Sequence, residues 1–313
     1  MSDTPAPPSA DAVPPYRPRR HATSRFITLR GLSIHLLEWG QASSASAARP
    51  TLVMLHGWMD VAASFQFVVD ALDDERHVIA MDWRGFGLSD AAGHDSYWFA
   101  DYLGDLDALL DAEFGERPID LLGHSMGGNV VMLYAGLRPS RVRRLVNLEG
   151  FGMPATTPSM APQRLVKWLD ELKEPARLRP YDSLDGVAAR LRQTNPLLSP
   201  DKAAWLAGHW SHVDAAGRHH LLADPAHKRS SPLLYQVDEV LECWKRITAP
   251  LLWVEGDRTD MARWWGTRYP RADFEARLAV VAQVERCRLS PAGHMLHHDQ
   301  PEALAARLDS FLA

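Results

Sequence analysis

Gly123 and Gly127 stand two residues to either side of Ser125, between the apolar run at residues 119–122 and the run at 129–134. A chain can pass from a strand into a helix around a serine this tightly only if its neighbours on the turn carry no Cβ, and glycine at both positions meets that demand. The pattern therefore constrains the fold to one in which a strand ends, turns sharply and opens a helix. It also points to a serine displayed as a nucleophile. A five-residue pattern recurs by chance, and this one draws its weight from lying between strand and helix.

Further runs at residues 51–55, 77–81, 144–148 and 251–254 are short and nearly continuously apolar. Strands of that texture are covered on both faces, which implies a parallel sheet with helices on each side. Before them, residues 26–29 and 32–36 alternate around Arg30-Gly31 as an antiparallel edge hairpin would. Phe99, Tyr102, Leu103, Leu106, Leu109 and Leu110 follow the spacing of one helix face, as do Leu304, Leu308, Phe311 and Leu312. Strand and helix alternate, so the expected class is α/β, with a mostly parallel central sheet.

The alternation stops between about Phe151 and Arg246. Helical pieces such as 165–172 and 237–244 occur there without a convincing buried strand, and residues 151–246 are expected to form a mostly helical cap inserted between the sixth and seventh strands. Residues 24–150 and 247–313 then form the core. Trp168, Trp205, Trp210 and Trp244 either line a substrate pocket or pack helices onto the sheet, the second being the plainer expectation. Residues 1–23 hold six prolines among small and polar residues and are expected to be a disordered tail.

The chain has 313 residues, 46% of them hydrophobic, and a formal net charge of −5, which offers no basic surface for a nucleic-acid backbone. Cys243 and Cys287 are the two cysteines, and they form neither a disulfide framework nor a metal-ligand pattern. No apolar run long enough to span a membrane and no secretory leader is visible, so a cytoplasmic enzyme with a small-molecule substrate is expected.

Acyl transfer requires a nucleophile, a base, an acid that orients the base, and two N–H groups for the oxyanion. Ser125 is the nucleophile candidate. His294, after Gly293 in the loop preceding the last helix, is the base candidate. It is preferred to His297 and His298, which are expected to be exposed polar residues or helix-end caps beside that helix. Neither His297-His298 nor His219-His220 is expected to bind metal, because adjacent residues rarely converge on one ion, and no cofactor is expected. Three carboxylates compete for the acid: Asp260, which is favoured, Asp257 in the same loop, and Glu149 after the sixth strand. The backbone N–H groups of Met126 and Trp58 are the oxyanion-hole candidates, and His56 is expected to hydrogen-bond within its loop.

Together these residues resemble the α/β-hydrolase superfamily over about Arg25 to Ala313: His56-Gly57-Trp58, Gly123 to Gly128, and Gly293-His294 appear in order. Asp82-Trp83-Arg84-Gly85-Phe86-Gly87-Leu88-Ser89 looks like a segment that is structural in most capped members. Gly57-Trp58-Met59-Asp60 with Ser64-Phe65 further resembles the serine hydrolase-like branch. The resemblance implies a capped serine hydrolase acting on an ester, thioester or lactone. Carbon-carbon bond hydrolysis, cofactor-free haloperoxidase activity and a non-catalytic binding module are alternatives. In the family the acid usually stands three residues after the loop glycine, where this chain has Thr259, so Asp260 implies a one-residue insertion. Epoxide hydrolases and haloalkane dehalogenases share the architecture but use an aspartate nucleophile where this chain has Ser125.

Overall fold

The computed structural model describes residues 14–72 and 76–313. Strands β1 (Thr23–Leu29) and β2 (Leu32–Trp39) form the hairpin expected around Arg30-Gly31, where both turn residues have positive φ, 49° and 83°. Next come β3 (Leu52–Leu55), α1 (Gln66–Ala71), β4 (Val78–Met81), α2 (Phe99–Phe114), β5 (Ile119–His124), α3 (Met126–Leu137) and β6 (Val142–Leu148). The stretch expected to form a cap follows with α4 (Ala161–Lys173), α5 (Leu184–Thr194), α6 (Pro200–Trp210) and a small antiparallel ribbon of β7 (Ser211–Val213) and β8 (His219–Leu221). The chain ends with α7 (Val237–Trp244), β9 (Leu251–Gly256), α8 (Ala262–Trp265), α9 (Arg271–Leu278), β10 (Val284–Leu289), α10 (Leu296–Asp299) and α11 (Pro301–Leu312).

Among the described residues, eight strands form one sheet in the order β1-β2-β4-β3-β5-β6-β9-β10, parallel from β4 onward. The continuous apolar runs follow from this arrangement, because each central strand feeds both faces. Val53 and Leu55 of β3 join a cluster with α2 and α3, while Leu52 and Met54 join the opposite cluster with α1 and α11. No helix among the described residues is long and apolar enough to cross a membrane.

Two expectations need adjustment. Residues 1–13 of the expected tail lie outside the described residues, but the segment from Tyr16 is anchored well before residue 23. The Tyr16 ring packs edge-on against Phe67 of α1 and Trp205 of α6, and the Arg19 and Arg20 N–H groups donate to Asp70 at 2.9 and 2.8 Å. At the other end of the expected cap, α7 packs on α3 and Trp244 is buried in the main core. Trp244 and Trp205 are therefore packing residues, and the half-buried Trp168 donates its indole N–H to Ser96 Oγ at 2.9 Å.

His227 ties the segment after β8 to the loop after β4 and to α2. It stacks between Phe86 and Tyr97, with ring centroids 3.7 and 3.6 Å away, accepts from the Tyr102 hydroxyl at Nδ1 and donates from Nε2 to the Arg84 carbonyl. Burial holds its pKa down at about 4. A base whose folded pKa lies below its unfolded value contributes stability above pH 6.5 that is lost as pH falls toward 4, here up to about 3 kcal/mol. His227→Phe is expected to be less stable than wild type at pH 7, with the gap narrowing toward pH 4.5. Urea unfolding of both proteins at the two pH values checks this.

Candidate active site

The candidate site lies at the carboxyl ends of β5, β6 and β10. Ser125 stands immediately after β5 with φ 52° and ψ −112°, and its N–H continues the ladder to Leu148 O at 2.8 Å. A backbone in this region costs about 1–3 kcal/mol and persists only where its surroundings enforce it. The two flanking glycines show how. A Cβ on Gly123 would stand 2.3 Å from the Gly127 carbonyl oxygen, and one on Gly127 would stand 2.3 Å from that of Leu55. The close packing of α3 against β3 and β5 thus depends on both positions being bare.

His294 comes from the loop after β10. Its Nε2 lies 3.0 Å from Ser125 Oγ and its Nδ1 lies 2.7 Å from Glu149 Oε2. With the Nδ1–H donated to the carboxylate, Nε2 is left to accept from the serine hydroxyl. Glu149 is the first residue after β6, at φ 55°, in a turn closed by the Asn147 side chain, which accepts from Gly150 N–H at 2.7 Å. The side chain of Glu149 is fully buried. Its second oxygen accepts the Gly256 N–H at 2.7 Å, so both carboxylate oxygens have partners.

The favoured acid, Asp260, is not at His294. Its Oδ1 accepts the Ala262 N–H at 2.9 Å and starts α8. Asp257 accepts from Ala292 N–H and Ser290 Oγ, fastening the loop after β9 to the loop that carries His294, and these contacts hold its carboxyl below the usual range. The structure thus places Glu149, the third candidate, and not the favoured Asp260, beside His294.

Met126 is the first residue of α3, in the turn whose N–H groups lack acceptors within the helix. Trp58 lies in the loop after β3, which passes against the turn at Ser125: a Cβ on Gly57 would be 3.2 Å from Ser125 Cβ. The Trp58 side chain is exposed, and the Trp264 ring sits edge-on to His294 at 4.7 Å. His56 is buried and kept neutral by desolvation. Its Nδ1 donates to Gly57 O and its Nε2 accepts from Trp83 N–H, as the expected role within the loop requires. Asp82 likewise serves the frame, accepting from His35 Nδ1, Ala62 N–H and Leu88 N–H.

His297 and His298 are not exposed polar residues. The short helix α10 turns both inward, where they are buried against Phe65 and Phe67.

A family model described as the alpha/beta hydrolase fold matches residues 50–301. The chain belongs to this family. The serine hydrolase-like protein of Danio rerio is 28% identical over 203 residues, 61% of each chain. The cis-3-alkyl-4-alkyloxetan-2-one decarboxylase of Shewanella oneidensis is 33% identical over 153 residues, 47% of this chain and 44% of that one. The chain spans about half the length of the curated relatives it matches. Among solved structures, a thioesterase domain from the curacin biosynthetic pathway aligns with a TM-score of 0.78 at 25% identity, covering 92% of this chain and 99% of that domain.

Proposed function

We propose that this α/β-hydrolase cleaves carboxylic ester or thioester bonds through an acyl-enzyme on Ser125, with His294 as base and Glu149 as the acid that orients it. The observation that carries the reading is the chain of contacts from Ser125 Oγ to His294 at 3.0 Å and on to Glu149 at 2.7 Å, starting from a strained turn at a helix N-terminus. His294 takes the Ser125 proton as Oγ attacks the carbonyl carbon, and Glu149 stabilises the imidazolium and keeps Nε2 aimed at Oγ. The N–H groups of Met126 and Trp58 receive the developing oxyanion, and the dipole of α3 adds to that stabilisation. His294 then protonates the leaving alcohol or thiol. Water, deprotonated by the same imidazole, attacks the acyl-enzyme and releases the acid. Trp264, half-exposed and edge-on to His294, favours substrates with an apolar flank.

A series of esters and thioesters of one acid tests this, hydrolysed in the presence of hydroxylamine. The expected result is turnover above the spontaneous rate, with one ratio of acid to hydroxamate whatever the leaving group, because all substrates pass through the same acyl-enzyme. No hydrolysis of any member, or a ratio that follows the leaving group, contradicts the proposal.

A further inference from the structure

The base candidate is held from behind as well as by its acid. His124, the last residue of β5, is buried and donates from Nε2 to the backbone carbonyl of His294 at 2.8 Å. Because a carbonyl can only accept, this contact fixes the proton on Nε2 and leaves Nδ1 without one. Burial keeps this imidazole neutral. Behind it lies His297 of α10, also fully buried and neutral, with its ring centroid 4.4 Å from that of His124 and neither ring nitrogen in a hydrogen bond. His297 Nε2 faces Asp60 Oδ2 at 3.8 Å, and Asp60 is itself fixed by the Val61 N–H and the Ser64 hydroxyl. The Trp210 indole of α6 faces the same carboxylate.

Asp60, His124 and His297 present ligand atoms within 4.8 Å of one another. The 3.8 Å separation is wider than the edge of about 3.4 Å expected between ligands of a tetrahedral zinc ion. The cluster matches a support better than a ligand set. It also joins three segments that meet at Ser125: the loop after β3 through Asp60, the nucleophile turn through His124, and the base loop through His294 and His297.

We infer that His124 and His297 are positioning residues for His294: His297 seats the His124 ring, and the Nε2–H of His124 holds the His294 carbonyl so that the imidazole meets Ser125 Oγ. The inference rests on the proposed role of His294 as base. A misplacement of the order of 1 Å at such a contact can cost about a hundredfold in rate without touching the substrate. The closeness of the loop after β3 matters here too. A Cβ on Gly57 would be 3.0 Å from His124 Nδ1, so glycine leaves the ring its place.

The test compares His124→Phe, His124→Gln, His297→Ala and the double variant His124→Phe/His297→Ala, each checked for folding by its thermal transition. His124→Phe is expected to lower kcat roughly tenfold or more with KM within about twofold, and His124→Gln, whose amide can donate to the same carbonyl, to recover most of the loss. His297→Ala should reproduce the deficit, and the double variant should be no slower than the slower single variant. A wild-type kcat in His124→Phe, a Gln variant no better than Phe, or additive losses in the double variant would overturn the inference. Should His124→Phe not fold, an unchanged kcat in His297→Ala overturns it alone. If wild type is not an esterase or thioesterase, the proposed function fails first. If it is one, and these variants behave like it, this inference alone fails.

Discussion

Ser125→Ala is expected to lower kcat by about a millionfold for any ester the protein turns over, leaving the fold intact. The magnitude follows from the mechanism, since no other group stands in hydrogen-bond reach of His294 Nε2 to take over as nucleophile among the described contacts. Removing the hydroxyl leaves only the oxyanion donors and substrate binding, which support a small residual rate. The methyl group of alanine fits wherever the serine Cβ already stands, so the strained backbone and the contacts of Gly123 and Gly127 persist. Wild-type and variant rates measured at saturating ester, with thermal transitions for both, check the prediction. A variant that retains more than a hundredth of the wild-type rate would mean that chemistry occurs elsewhere.

Glu149→Gln is expected to cost about 10⁴-fold in kcat. The amide is the same size, and its oxygen can still accept one N–H. It cannot accept from both Gly256 and His294 through two oxygens as the carboxylate does, and it removes the charge opposite the forming imidazolium. Asp260→Asn is the control. Its carboxylate lies at the exposed start of α8, so kcat/KM should stay within about twofold of wild type, as for surface substitutions generally. If the two variants exchange these behaviours, the acid belongs to Asp260 and the geometry around Glu149 has only a structural meaning.

The strand-turn-helix around Ser125 and the buried parallel sheet were legible because they are local. Two bare positions around a serine and continuous apolar runs each carry their own physical cause. The place of His294, the proposed base, beside Ser125 follows its position after a glycine in the last long loop. The carboxylate beside it was not legible, because two strand ends converge on the same spot. Leu148 of β6 pairs with Val254 of β9, and Glu149 accepts the Gly256 N–H, so the loops after both strands reach the base. Choosing between them depends on where each carboxylate finds its other partners, which are remote in sequence: Ser290 and Ala292 for Asp257, Gly256 and His294 for Glu149. One local signal did exist in Asn147 and Gly150, whose side-chain-closed turn sets Glu149 at positive φ, just as the glycines set Ser125. The burial of His297 and His298 was hidden for a different reason. Their place beside the last helix suggests exposed polar residues or caps, but a four-residue helix turns both toward Phe65 and Phe67, a result of tertiary packing that spacing along the chain does not carry.

The most direct test of Ser125 as an activated nucleophile is the mass of the protein after treatment with a fluorophosphonate, followed by peptide mapping. One adduct per chain is expected, on the peptide that carries Ser125, formed rapidly in wild type and far more slowly in His294→Ala. An unlabelled wild-type protein, or an adduct on any other residue, would contradict the account.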